Sequence, residues 1–411
     1  MTAPGVTIAV GSVDITPQKP VGLGGYSGRT ALFQSIADPL EANVLVLAGP
    51  ATRVVFVTID SLFPGRTLRE HLLTTLGLKD EELVLVASHT HFAPLLAPEL
   101  PGLGQPAPDQ AVFVAERIAA LVRSLEGKGR AAQCFHSQGK ADHAISRRLK
   151  WLRLTRKGLS YGAGLGPNPG GEKDERIAAL RFCDDAGQTV ALLWNYACHP
   201  TDFPERLQVS ADYPGVVRAR LREAFGDVPV LFLQGFAGDV RPPFSGTTPS
   251  LAGLLHRVLL GPQFRRPAMP EWRAWADGLA ARVVAAFRSP AAPLVLSEPV
   301  ATRLTVAEAL LGDGGGGDKP LVWHKVECGG FRLLAVNAEP VTAYRRLLEP
   351  HFTDKLLLTA GYIDQTHCYL PVDSMLDEGG YEVEGFRPLF GYRTRFRKGM
   401  QAAAIAPLLR S

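Results

Sequence analysis

Short apolar runs at residues 54–59, 83–87, 190–196, 230–233, 333–336 and 356–359 recur along the chain, rich in Val, Leu and Ile and each too short for a helix. Segments with helical spacing lie between them. Val114, Ile118, Leu121 and Leu125 share one face, with Gly127 as a stop; Asp212 as N-cap and Pro214 open a helix carrying Val217, Leu221, Ala224 and Phe225 up to Gly226. A third helical pattern holds Trp272, Leu279, Val283 and Phe287. Strand runs alternating with helices predict an α/β fold of mixed β-sheets flanked by α-helices. A chain of 411 residues, 46% hydrophobic and 20% charged, can bury the core such a fold needs. Gly- and Pro-rich stretches at 100–108, 240–250 and 312–317 read as long loops. Strand signals and chemically capable residues flank the glycine tract on both sides, so the expectation is a single catalytic domain over residues 1–411.

The formal net charge of +4 is spread along the chain and gives no reason to expect nucleic acid or an anionic membrane as partner. The run from Arg147 to Lys157 does interleave basic and aromatic residues. It reads as a strand with Leu152 and Leu154 facing inward and its charges solvated, in preference to a nucleic-acid or anionic-lipid patch. No stretch approaches the roughly 20 apolar residues that span a bilayer, and the N-terminus lacks a basic leader, so the chain is expected to be soluble, without a transmembrane segment, and cytoplasmic. The five cysteines are scattered without a CxxC pair and read as small core residues.

The chemistry gathers where the strand runs stop. Residues 83–87 lead into Ser88-His89-Thr90-His91, 190–196 into Cys198-His199-Pro200, 230–233 into Gly238-Asp239, 333–336 into Glu339-Pro340, and 356–359 toward Tyr369. In α/β sheets, functional groups collect beyond the carboxyl ends of strands, where loops converge on a rigid scaffold. In extended chain the two histidines of His-x-His point to the same side, roughly 6 to 7 Å apart at the backbone, so one can bind a metal while the other reaches the water on it. Two histidines and a carboxylate suit Zn²⁺ with an open position for water or substrate. Each residue alone has a plainer reading: surface or hydrogen-bonded histidines, a satisfied buried His199, and a Glu339 favoured by the dipole of a helix starting near Thr342.

Taken in order, further pieces accompany these: 10–16 (Val10-Gly11-Ser12-Val13-Asp14-Ile15-Thr16), Ser146-Arg147-Arg148, His199-Pro200-Thr201, Asp212-Tyr213-Pro214-Gly215, Gly238-Asp239-Val240, Ala338-Glu339-Pro340 and 361–382. In these motifs the chain resembles the catalytic region of the neutral, non-lysosomal ceramidases. The resemblance implies that His89, His199, Glu339 and Tyr369 ligate one zinc ion, that His91 lies beside the water there, and that Arg147 belongs to the substrate cleft. Of the two tyrosines the family carries in the last segment, Thr366 stands at the first position and Tyr369 at the second. The family's Gly-Asp-Val-Ser-Pro motif reads Gly238-Asp239-Val240-Arg241-Pro242 here, and arginine is no acyl-accepting nucleophile.

The expected chemistry is therefore hydrolysis of an amide, or N-acyl, bond by water activated at zinc, with an ester or lactone as the alternative bond. His91 is expected to act as general base, Asp239 to orient a ligand histidine, and Arg241 to stabilise an oxyanion or bind a substrate carboxylate. The chain is expected to lack the family's C-terminal immunoglobulin-like domain and leader, and ceramide is therefore expected to be a poor substrate for an enzyme otherwise placed in lipid metabolism. A zinc-containing binding protein without turnover is the rival from another class. His91 speaks against it, because a structural site closed by four ligands needs no neighbouring base.

Overall fold

The computed structural model describes residues 5–155, 158–246, 261–307, 310–311 and 319–410, with the backbone path alone for 152–155 and 159–161. Each apolar run forms a strand: Arg53–Ile59, Leu83–Ala87, Thr189–Tyr196, Val230–Gln234, Phe331–Val336 and Leu356–Ala360. They associate two by two in parallel, with Val55 opposite Leu83, Leu192 opposite Val230 and Phe331 opposite Leu356. Parallel strands are covered on both faces, which is why these segments read as unbroken apolar runs.

Each of these three parallel pairs lies at the edge of a larger mixed sheet. The first sheet adds Glu41–Ala48 and Thr7–Asp14 in antiparallel order beyond Arg53–Ile59. The second runs Val230–Gln234, Thr189–Tyr196, Arg176–Cys183, Gln133–Lys140 and Ala292–Leu294. The third runs Val300–Thr305, Val322–Cys328, Phe331–Val336 and Leu356–Ala360. Leu45 and Val84, Leu193 and Leu231, and Val326, Leu333 and Leu358 meet in one buried cluster, so the inner faces of the three sheets share a core. Full burial of each such side chain contributes about 1.5–3 kcal/mol.

Helices close the outer faces. Pro108–Leu125 lies against the first sheet and packs on Arg66–Leu76; Met269–Arg288 lies against the second and packs on Tyr213–Phe225. Asp212 caps Tyr213–Phe225 by accepting from the Tyr213 N–H at 2.6 Å, and it also accepts from Trp272 Nε1 at 3.2 Å, which ties the last two helices together. Gly127 follows the end of Pro108–Leu125 with φ 70°, a backbone angle that favours glycine.

Hydrogen bonds between the sheets draw their carboxyl ends together. The Ala87 N–H donates to Tyr362 O at 3.0 Å, the Gly361 N–H to Gln234 O at 3.1 Å, and Asn195 Nδ2 to both Leu233 O and Thr359 O at 2.8 and 2.9 Å. Of the three expected loops, the first contains a short 3₁₀ turn at Pro101–Leu103. The second begins with Val240–Arg241, which pairs with Ile145 and Ser146, and continues to Ser245–Gly246, which pairs with Gln263–Phe264; residues 247–250 and the glycine tract at 312–317 lie outside the described residues.

The basic run does form a strand, Ile145–Thr155, in a hairpin with Gly158–Asn168. Arg147 and Arg148 are buried in ion pairs with Glu382, and the exposed Lys150 pairs with Glu378 at 2.6 Å; the side chains of Arg153, Arg156 and Lys157 lie outside the described residues. The side chains of Leu152 and Leu154 lie outside the described residues. All five cysteines are buried and unpaired. No described helix is long and apolar enough to cross a membrane.

Candidate active site

The parallel pairs deliver their terminal residues to one place. His89 and His91 follow the first pair, His199 follows Thr189–Tyr196, and Glu339 follows Phe331–Val336. One ring nitrogen from each of the three histidines lies within 4.8 Å of the others, the arrangement of a metal-binding group. Glu339 Oε2 approaches His199 Nε2 at 3.2 Å and His89 Nε2 at 3.3 Å, and His91 Nε2 is 3.3 Å from His89 Nε2.

The two histidines do not converge by extended alternation. His89 has φ 66°, in the left-handed region, so the chain turns sharply as the strand ends. A non-glycine residue held there costs of order 1–3 kcal/mol, and such strain persists where surrounding structure enforces it. The neighbouring packing is dense: Tyr362, also at a positive φ of 60°, lies with its ring centroid 4.2 Å from that of His89, and Phe63 lies 5.0 Å away on the same imidazole.

Backbone carbonyls orient two of the imidazoles. His89 Nδ1 lies 2.9 Å from Leu62 O and His199 Nδ1 2.6 Å from Ala237 O. A carbonyl only accepts, so Nδ1 carries the proton in both and each Nε2 presents a lone pair to the cluster. His199 Nε2 and Glu339 Oε2 are buried without a hydrogen bond of proper geometry. Two lone pairs fixed this way beside a carboxylate fit zinc or a similar divalent ion, which would satisfy the atoms left without partners.

His91 differs. Its Nδ1 is buried with no partner, while its backbone carbonyl accepts from Arg29 Nη2 at 2.8 Å and Gly25 packs against the ring. Burial, then the neighbouring His89 and His199, hold its imidazole well below the usual histidine range. Burial and the Arg147 guanidinium likewise lower His199 to about 3.

Asp239 corrects the expectation that it would orient a histidine. Its carboxylate accepts from the Thr342 N–H at 2.7 Å and from Thr342 Oγ1 at 3.0 Å, leaving histidine orientation to the carbonyls of Leu62 and Ala237. Burial raises its carboxyl to about 6. By holding Thr342 it anchors the turn that follows Glu339. Glu339 itself is outside the first turn of helix Ala343–Leu348: with Pro340 it pairs in parallel with Tyr369–Leu370, which sets Tyr369 directly beside it in register.

Arg147 joins Tyr369 to this arrangement. Its Nη2 donates to Tyr369 Oη at 3.1 Å and to Gly238 O at 2.6 Å, and its Nε donates to Glu382 at 2.8 Å. Burial pushes the Tyr369 hydroxyl up, against the pull of Arg147. Arg241 is held by Asp202 through both Nε and Nη2, and its guanidinium lies 4.4 Å over the Phe264 ring. A cleft of about 700 Å³ opens onto His91, Arg147, Arg241 and Tyr369. Tyr362, Asp202, Glu382, Arg29 and Gly25 also belong to the site, although single residues of these types carry no local signal in the sequence.

No family model matches the chain, and no curated protein matches it in sequence. Solved structures do match. The chain superposes on the neutral ceramidase from Pseudomonas aeruginosa with a TM-score of 0.71 at 15% identity, over 98% of this chain and 75% of that one. It superposes on a ceramidase complexed with C2 with a TM-score of 0.73 at 16% identity, over 98% of this chain and 74% of that one. The chain has the fold of the neutral ceramidases. At this identity the likeness is one of backbone architecture, and function rests on the site itself.

Proposed function

We propose that the protein is a ceramidase-like, zinc-dependent hydrolase that cleaves an amide, or N-acyl, bond, with residues 1–411 acting as one catalytic unit. The observation that carries this reading is the meeting of three histidine nitrogens within 4.8 Å, with Glu339 Oε2 at 3.2 and 3.3 Å from two of them, beside a cleft of about 700 Å³. His89, His199 and Glu339 are the ligands, and Tyr369, in register with Glu339, is the fourth. Zinc bound there supplies a Lewis acid that acidifies water and polarises the scissile carbonyl.

The chain's own residues do the rest. His91 is the general base: it lines the cleft with its Nε2 3.3 Å from His89 Nε2, where it would take the proton from the attacking water and return it to the leaving amine. Arg147 steadies the Tyr369 oxygen beside Glu339. Arg241, clamped by Asp202 at the cleft wall, faces the charge that develops on the carbonyl oxygen. No side-chain nucleophile is required.

The test is an activity screen of the zinc-loaded protein against N-acyl and O-acyl compounds of varied head group, with His91→Ala as control. Hydrolysis of an N-acyl compound that falls about 10²- to 10⁴-fold in His91→Ala supports the reading. Cleavage of esters alone would replace the amide with an ester, and absence of any turnover would overturn it.

A further inference from the structure

Among the described residues, the cleft is lined by five arginines, Arg29, Arg147, Arg206, Arg241 and Arg266, and by no aspartate or glutamate. Two of the five have carboxylate partners behind the wall, Glu382 for Arg147 and Asp202 for Arg241. Arg29 is buried with its guanidinium on the carbonyls of Gly24, His91 and Arg206, so its charge is placed but not balanced. Arg206 is half-buried with its guanidinium 3.6 Å over the Tyr26 ring, and Arg266 is exposed; neither has a carboxylate partner among the described residues.

From this arrangement we propose that the cleft selects an acyl substrate bearing an anionic group, a carboxylate or a phosphate ester, close to the scissile bond, with Arg206 and Arg266 as the residues that bind it. The proposal rests on the hydrolase reading of the same site and adds the substrate class to it. A cleft lined by one sign of charge between low-dielectric walls focuses its field on the entering ligand and repels a cation. Stacking on Tyr26 fixes the plane of the Arg206 guanidinium and leaves its N–H edge for a two-oxygen acceptor, the geometry a carboxylate or phosphate matches.

Position narrows the class further. The Tyr26 ring that carries Arg206 also packs against His91, with ring centroids 5.1 Å apart. The Tyr26 hydroxyl donates to Thr201 O, another residue of the cleft wall, which keeps the ring in place. An anion on Arg206 is thus held one aromatic ring away from His91, on the same wall of the cleft as the proposed base. The α-carboxylate of an N-acyl amino acid and the phosphate of an N-acyl phosphoethanolamine satisfy this spacing; a long neutral head group does not use the charge at all.

The experiment pairs each anion with a neutral counterpart: N-octanoylglycine with N-octanoylglycinamide, and N-octanoylphosphoethanolamine with N-octanoylethanolamine. Both kcat/KM of the zinc-loaded enzyme and equilibrium binding to the metal-free protein are measured, for the parent and for Arg206→Gln/Arg266→Gln. The expected result is a preference of about 10- to 100-fold for the anion in at least one pair, from charge-assisted hydrogen bonds, shrinking with added salt and falling toward unity in the double variant. The pair that carries the preference identifies carboxylate or phosphate as the source. Equal binding and cleavage within both pairs, or a preference unchanged in the double variant, would overturn the proposal while leaving a hydrolase. Anion-selective binding with no cleavage of any of the four would instead sink the hydrolase reading and keep the anion site.

Discussion

Gly25→Ala perturbs the proposed base without touching any proposed ligand. Gly25 has φ +101°, and a Cβ built there would stand 2.3 Å from His91 Nδ1 and 2.5 Å from its Cγ, where real contacts are not shorter than 3.0 Å. The backbone angle alone costs about 1–2 kcal/mol for a residue with a Cβ. The ring must also give way, because the clash falls on the ring atoms next to Cβ rather than on the end of a flexible chain. Its backbone cannot follow freely, since the His91 carbonyl is held by Arg29 and its N–H donates to Pro200 O at 3.2 Å. Misplacing a catalytic group by a distance of order 1 Å costs about 10²-fold in rate. Steady-state kinetics on the zinc-loaded variant should therefore show kcat lower by about 10²-fold with zinc content unchanged, and urea unfolding should report a loss of more than about 1–2 kcal/mol, the clash adding to the backbone cost. Parent-like kcat would refute the placement of His91, and loss of zinc would make His91 a ligand instead of a base.

Three further outcomes follow from the same geometry. Glu382→Gln leaves the buried Arg147 and Arg148 without their shared carboxylate, at 2.8 and 2.7 Å in the parent, so unfolding free energy should fall by about 3–5 kcal/mol; a loss under 1 kcal/mol contradicts the ion pairing. Glu41 accepts from both terminal nitrogens of Arg222, and although burial pushes its carboxyl up, Arg222 and Arg218 hold it below its ordinary 4.5. Its stabilisation is present above pH 4.5 and lost as pH falls through the lowered value, so Glu41→Gln should flatten the parent's acid limb of stability, and an identical acid profile would refute this. Rapid mixing should give no burst of leaving group, since no acyl-enzyme forms; a stoichiometric burst would require a side-chain nucleophile.

The strands and main helices are legible in the sequence because their determinants are local. Continuous apolar runs mark buried parallel strands, and Asp212, Pro214, Gly226 and Gly127 punctuate helices. The pairing of those strands into three mixed sheets is not legible, because register depends on partners far away in the chain. His89, His91, His199 and Glu339 stand out because each follows a strand, and the sheets bring those ends together. The route is different from the expected one, since His89 turns through the left-handed region where extended alternation was anticipated. Asp239 is adjacent to the right loop but bonds Thr342, a partner set by tertiary packing. Arg206 gives no sequence signal: it matters because Tyr26, far earlier in the chain, lies beneath its guanidinium.

Zinc stoichiometry tests the central claim most directly. The parent, reconstituted with zinc and dialysed, should hold about one zinc per chain, and His89→Ala and His199→Ala should each lose it, because an open site with few ligands does not survive removal of one. His91→Ala should keep it. Full zinc occupancy in both the His89 and His199 variants, or no zinc in the parent, would contradict the account.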